Sequence, residues 1–190
     1  MVCVVAGREP GRSGMNASVC VESAPSPHSF VPDAQNAHQY RQALGRFGTG
    51  VTIVTVQAEY GPVGLTVNSF ASVSLDPPLI LWSIANSSGR RPVFEHADRF
   101  AVNVLHKDQA ELAGQFSRCA DDFSPHLWAQ DGQSTSAPVL SDALACFECS
   151  RRIVYDGGDH TIIVGRVEKA TLNEGEPLLF FNGQFGSFGA

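Results

Sequence analysis

Three stretches of this chain gather side chains that could hold a flat, phosphate-bearing ligand. The first runs Gly64-Leu65-Thr66-Val67-Asn68-Ser69-Phe70-Ala71-Ser72-Val73-Ser74-Leu75-Asp76-Pro77-Pro78. It mixes short hydroxyl and amide side chains with apolar ones, and its double proline enforces extended backbone. Such a segment can offer backbone N–H groups and small polar side chains to a heteroaromatic ring, because small-molecule sites are mainly apolar with a few placed polar groups. A Ser-rich strand and loop without a ligand has the same composition. The second stretch is Ser83-Ile84-Ala85-Asn86-Ser87-Ser88-Gly89-Arg90-Arg91, at a strand end just before a helix. Hydroxyls, free helix N-terminal amides and a guanidinium are the groups that capture a phosphate. A solvated turn with a serine N-cap is the alternative. The third is Gly157-Gly158-Asp159-His160, a tight hairpin turn by its glycines. The residues after it return at once into a strand, so His160 would be held rigidly at the mouth of whatever the strands enclose.

Other chemistries are poorly represented. The six histidines, His28, His38, His96, His106, His126 and His160, show no H-x-x-x-H or H-x-H pairing, so no metal site is expected. No G-x-S-x-G nucleophile elbow is present, and Asp121 and Asp122 read as solvated or helix-end groups. The formal net charge of -6 argues against a nucleic-acid footprint, and the local Arg90 and Arg91 pair suits a small anion instead. No apolar run approaches the roughly 20 residues that span a bilayer. Cys3, Cys20, Cys119, Cys146 and Cys149 form an odd, scattered set, and the short run 2–6 lacks the charged flank of a signal peptide. The expectation is a cytoplasmic protein with reduced thiols. Cys146 and Cys149 lie three apart in a strand pattern, which points them to opposite faces, as core residues.

The elements that must position these groups follow from periodicity. Residues 1–35 are rich in Gly, Ser, Pro and Asn and read as a loosely attached tail ahead of one domain over 36–190. Asn36 followed by Gln39 predicts a capping box, with Tyr40, Leu44 and Phe47 on one helical face. Strands are expected over residues 51–56, 63–66, 79–84, 100–105, 144–155, 160–172 and 178–181. Helices are expected over 91–96 and from Asp108, where Glu111 stands at capping-box spacing and Leu112 and Phe116 share a face. Long strands joined by glycine-rich turns argue for a mainly β, antiparallel barrel. A Rossmann fold is disfavoured, since no G-x-G-x-x-G follows a strand.

With these segments in order, the chain from about Tyr40 onward resembles the flavin reductase-like, FMN-binding split-barrel family, which includes reductase components of two-component flavin-dependent monooxygenases. The resemblance is carried by Phe47-Gly48-Thr49-Gly50-Val51-Thr52, by residues 64–70 and 72–79, by Phe100-Ala101-Val102-Asn103-Val104-Leu105, by Leu112-Ala113-Gly114-Gln115-Phe116-Ser117, by Gly158-Asp159-His160 and by Pro177-Leu178-Leu179-Phe180-Phe181. It implies a homodimer of six-stranded antiparallel Greek-key split barrels with a few flanking helices. It also implies an NAD(P)H:flavin oxidoreductase that passes a hydride from NADH or NADPH to FMN or FAD and supplies a partner monooxygenase. By the same resemblance, Thr66, Val67, Asn68 and Ser69 line the isoalloxazine, with Ala71 and Ser72 close behind. Ser83, Asn86, Ser87 and Ser88 hold the ribityl chain and phosphate, with Arg91 as a helper, and Phe116 and Ser117 border the pocket. Asp159 and His160 belong to the nicotinamide motif, and His160 positions the hydride donor. Family members often carry Arg and Tyr where this chain reads Asn182-Gly183-Gln184-Phe185, which leaves Phe185 a stacking role. An FMN-binding electron carrier of the same fold is the alternative, and it has no need of the Gly158-Asp159-His160 turn.

Overall fold

Runs of β-branched and aromatic residues, alternating with small polar ones, favour pleated backbone, and they build most of this molecule. In chain order the computed structural model has α1 (Ala37–Leu44), β1 (Thr49–Gly50), β2 (Thr52–Ala58), β3 (Gly61–Val67), β4 (Ala71–Leu75), β5 (Pro78–Ala85) and α2 (Arg91–His96). There follow β6 (Arg99–Val104), α3 (Ala110–Arg118), β7 (Trp128–Ala129), β8 (Val139–Leu140), β9 (Ala145–Asp156), β10 (His160–Leu172), β11 (Leu178–Phe181) and β12 (Gln184–Ser187). The structure describes residues 29–118, 123, 127–129 and 137–188. Most of the expected tail therefore lies outside the described residues, as do Cys3, Cys20, Cys119, His28, His126, Asp121 and Asp122.

Seven strands form one antiparallel sheet in the order β3-β2-β6-β9-β10-β5-β4, with β1-β11-β12 as a smaller sheet beside it. The barrel does not close by a ladder between β3 and β5. A side chain spans the split instead: Ser69, just past β3, donates from Oγ to the Ser83 carbonyl at 2.9 Å and accepts the Ser83 N–H at 3.0 Å. The five residues from Thr52 to Val56 are buried, so β2 faces apolar contacts on both sides. Val54 and Val56 join Trp82, Ile84, Phe94, Phe100 and Ile163 in the barrel core. Ile53 joins Val51, Leu105, Phe116, Trp128 and Leu178 in a second cluster under α3.

The strands expected over 160–172 and 178–181 and the helix over 91–96 fall where the periodicity put them. Five strands were not foreseen: the two-residue β1, β7 and β8, the largely exposed β4, and β12, in which Phe185 stands alone among Gln184, Gly186 and Ser187. Both expected capping boxes are replaced. Asn36 does stand at the start of α1, but its side chain accepts the Asp33 N–H at 2.9 Å and donates to the Val31 carbonyl at 2.9 Å. Before α3 the cap is His106: Asp108 N–H donates to its Nδ1 at 3.2 Å, its own N–H donates to Gln109 Oε1 at 3.0 Å, and one 3-10 turn intervenes.

Cys146 and Cys149 are free, buried and on opposite faces of β9, one beside Ala101 and Ala137, the other against the barrel core. Desolvation, reinforced by the Glu148 charge, pushes the Cys146 thiol up to about 12. Burial pushes the Cys149 thiol up as well. Thiolate is the nucleophile, so iodoacetamide at neutral pH is expected to leave both peptides unmodified in the folded protein and to alkylate both in denaturant. Peptide mass spectrometry checks this, and native labelling of either would mean that β9 opens.

Candidate functional site

β3 organises the candidate site. Its odd side chains Val63, Leu65 and Val67 pack on the barrel core, while Gly64 and Thr66 turn to α3. A Cβ at Gly64 would stand 2.5 Å from the Phe116 ring, so glycine is what lets the helix lie this close. Thr66 Oγ1 donates to the Ala113 carbonyl at 2.7 Å and secures the contact. The last β2–β3 pair is Thr52 with Val67, and beyond it the backbone of Asn68 and Ser69 leaves the ladder.

Two open hollows meet along residues 66–68. One, of about 240 Å³, is lined by residues 65–69, by Ser83, Ile84, Ala85 and Ser88, and by His160. The other, of about 270 Å³, is lined by Val51, Thr66, Val67, Asn68, Ser117, Phe180 and Phe185. Joined, they reach the ~300–1,000 Å³ of small-molecule sites. Apolar walls carry a few polar groups here. The exposed Asn68 amide has no hydrogen-bond partner among the described residues.

His160 reaches the first hollow from the β9–β10 turn. Gly157 N–H donates to the His160 carbonyl at 2.9 Å, and Gly158 takes φ +82° at the first central position, which suits a glycine. His160 Nδ1 lies 2.7 Å from Asp159 Oδ1. A carboxylate only accepts, so Nδ1 carries the proton and Nε2 is left for a ligand. That bond, with the attraction between the two groups, holds the Asp159 carboxyl below the usual aspartate range. The charged form is the one favoured, so the tie is complete above that range and is lost as pH falls through the lowered value. An NMR titration of the Asp159 carboxyl carbon should show a depressed midpoint that returns to the ordinary range in His160→Ala; an unchanged midpoint would mean no such bond exists in solution.

Asn86 anchors this turn rather than reaching into a hollow. Its N–H donates to the Asp159 carbonyl at 2.9 Å, its Nδ2 donates to the Gly158 carbonyl at 2.9 Å, and its Oδ1 accepts the Thr161 hydroxyl at 2.7 Å. The same oxygen accepts from Arg91 Nη1 at 3.2 Å, and Arg91 also pairs with Glu95 at 3.3 Å. Neither is a free ribityl or phosphate ligand. Three of the expected amides are spent, since the Ser88, Arg90 and Arg91 N–H groups donate to Ala85 O, Ser88 Oγ and Ser88 O, while those of Ser87 and Gly89 have no partner among the described residues. Ser87 is exposed and lines neither hollow, and Ala71 and Ser72 sit on exposed β4. Phe116 is fully buried, stacked edge-on against Phe123 and Trp128, so it supports the wall that Ser117 forms. Ser69 lines a hollow while its hydroxyl closes the barrel.

Sequence reasoning missed Arg90 as a structural cation. Its guanidinium donates to the carbonyls of Gly64 at 3.2 Å, Phe116 at 2.7 Å, Ser117 at 3.5 Å and Arg118 at 3.0 Å, capping the end of α3 and binding it to β3. Val51, Leu65 and Phe180 were also missed as liners, although the strand alternation could have flagged them. A larger hollow of about 580 Å³ lies elsewhere, lined in part by Asp108, Asp142, Glu174 and Glu176. Its carboxylates would repel a phosphate-bearing ligand, which disfavours it despite its size.

Comparison with known proteins finds relatives along most of the chain. Residues 44–189 match the flavin reductase like domain. The chain is 50% identical over 164 residues to an FMN reductase (NADH) of Agrobacterium fabrum, covering 86% of this chain and 93% of that one. It is 38% identical over 159 residues to the reductase subunit of a flavin-dependent monooxygenase of Rhodococcus jostii, covering 83% and 80%. Two longer relatives are matched over 50% and 41% of their lengths. Among solved structures, the NADH:FAD oxidoreductase of Streptomyces globisporus superposes with a TM-score of 0.78 at 38% identity, over 86% of this chain and 98% of that one. A family match over residues 44–189, with half the residues shared by a relative covered over 93% of its length, places this chain in the flavin reductase-like domain family.

Proposed function

We propose that the chain is an NADH:flavin oxidoreductase that binds FMN or FAD along residues 66–68 and supplies reduced flavin to a flavin-dependent monooxygenase. The observation that carries this reading is the placement of His160 in the same hollow as Thr66, Val67, Asn68 and Ser69. A donor-positioning side chain and a ring-binding strand then share one space. When both substrates are bound, the dihydronicotinamide gives its hydride to the flavin ring, and that chemistry belongs to the cofactors. The chain supplies orientation. Val67 and Asn68 present backbone and amide groups to the ring, Phe180 and Phe185 provide apolar wall, and His160, oriented by Asp159, offers Nε2 to the nicotinamide amide. Ser88 stands where the ribityl and phosphate end would leave the hollow. Both hollows are open, which suits a flavin that exchanges and disfavours a tightly held electron-carrier flavin.

Exposed Leu44, Phe47, Phe181, Phe185 and Phe188, grouped about α1, β11 and β12, support a homodimer. The family match over 44–189 supports a single domain over 36–190. A cytoplasmic location fits the free, buried thiols, and no helix among the described residues is long and apolar enough to cross a membrane. The test is to mix the protein with NADH or NADPH and FMN or FAD and follow the nicotinamide absorbance. Consumption of NADH with either flavin is expected. No turnover with any pair would overturn the reading, and FMN that copurifies without turnover would favour the electron carrier.

A further inference from the structure

We infer that Asn86 is a positioning residue for hydride transfer, acting through His160, whose turn it clamps on both sides of the imidazole. His160 pairs with Ala85 in the β5–β10 ladder, and both line the first hollow. Asn86 is the next residue, where β5 has ended, and it lines neither hollow. From there it makes three bonds to the β9–β10 hairpin. Its N–H donates to the Asp159 carbonyl at 2.9 Å, its Nδ2 donates to the Gly158 carbonyl at 2.9 Å, and its Oδ1 accepts the Thr161 hydroxyl at 2.7 Å.

Two of those bonds hold the peptide units that flank Asp159. A peptide unit is planar, so a donor that holds its carbonyl orients the whole unit. With the Gly158 and Asp159 carbonyls both held, φ and ψ of Asp159 are set. So is the direction of the carboxylate that lies 2.7 Å from His160 Nδ1. The Asn86 amide can do this in one orientation only. Both lone pairs of Oδ1 are filled, by the Thr161 hydroxyl and by Arg91 Nη1 at 3.2 Å, and Arg91 is itself tied to Glu95. Turned over, the amide would set Oδ1 against the Gly158 carbonyl and its NH2 against the guanidinium. Aspartate has the same shape but cannot donate to the Gly158 carbonyl, and it would add a second carboxylate beside Asp159. The direction of His160 Nε2 therefore depends on a side chain outside the hollow that the nicotinamide would enter.

This inference rests on the flavin reductase reading, and its test separates the two. Turnover with NADH is followed by nicotinamide absorbance and flavin binding by fluorescence in Asn86→Ala, Asn86→Asp, His160→Ala and the Asn86→Ala/His160→Ala double variant. Asn86→Ala keeps the backbone bond to Asp159 and the β5–β10 ladder, so the hairpin should stand while the imidazole loses its fixed direction. It is expected to lower kcat/KM for NADH about tenfold, within the range for misplaced reacting groups, and to change the Kd for oxidised FMN less than about twofold. NADH deuterated at the transferred position should show a larger isotope effect in this variant, because hydride transfer has become slower relative to binding. Asn86→Asp should not restore the rate. The decisive comparison is the double variant: once His160 is gone, losing Asn86 as well should cost less than about a further twofold, the non-additivity of two residues that act as one unit. Additive losses would overturn the inference, as would normal kinetics in Asn86→Asp, an unchanged isotope effect, or a fall in flavin affinity that matches the fall in rate. Absence of turnover with any flavin in the unaltered protein would remove the functional reading itself.

Discussion

His160→Ala is expected to lower kcat/KM for NADH by about 100-fold while the Kd for oxidised flavin stays within about twofold; loss of orientation at a reacting centre has effects of that size. The expectation follows from how the imidazole is held. Asp159 fixes Nδ1, and Asn86 ties the end of β5 to the Gly158 and Asp159 carbonyls, so the ring stands at the edge of the hollow in one orientation. Removing the ring leaves the flavin strand untouched but frees the nicotinamide to sample unproductive poses. The side chain is 45% exposed, so the melting temperature should barely move. His160→Gln, which keeps an acceptor, should recover part of the loss in KM. If flavin affinity falls with the alanine variant instead, the turn serves the flavin and not the hydride donor.

Arg90→Ala is expected to remove about 3 kcal/mol of stability, a drop in Tm of roughly 6–12 °C, and to raise the flavin KM about tenfold. Four carbonyls share this one guanidinium, three of them at the end of α3, where helical carbonyls have no partner within the helix. Without it, the helix end and Ser117 can move away from β3, and the second hollow loses a wall. Arg90→Lys should not restore the protein, because a single ammonium cannot serve the planar fork that reaches all four oxygens. Thermal denaturation and flavin titration of both variants check this. An unchanged Tm with a loss confined to flavin phosphate affinity would make Arg90 a ligand group alone.

The neighbouring arginines show where sequence reasoning runs out. Arg90 and Arg91 form one local basic pair, of which the resemblance puts Arg91 beside the phosphate. The structure gives Arg91 a local ion pair with Glu95, while Arg90 crosses to a helix more than twenty residues away in sequence. No local pattern encodes that choice, because it depends on where α3 lands on Gly64. The strands show the same division. β10 and β11 carry sustained β-favouring runs and were legible to the residue. β4, with its small hydroxyl residues, and β12, which follows the positive-φ turn at Asn182 and Gly183, have too little apolar alternation to announce themselves.

Periodicity, turn glycines and composition by themselves determined a mainly β, antiparallel chain with an anionic surface, a hairpin that presents His160, and a polar segment at residues 66–69. Those properties are local: they depend on each residue's neighbours in the chain and on the two-residue repeat of a strand. Only the tertiary structure decided which polar groups remain for a ligand. Asn68 keeps its amide free and His160 keeps Nε2, whereas Ser69, Thr66, Asn86 and Arg90 spend their polar groups on closing the barrel, docking α3 and fixing the turn. The physical reason is that a buried hydrogen-bonding group must find a partner. Whether that partner is the protein or a substrate is settled by distances between elements that are remote in sequence.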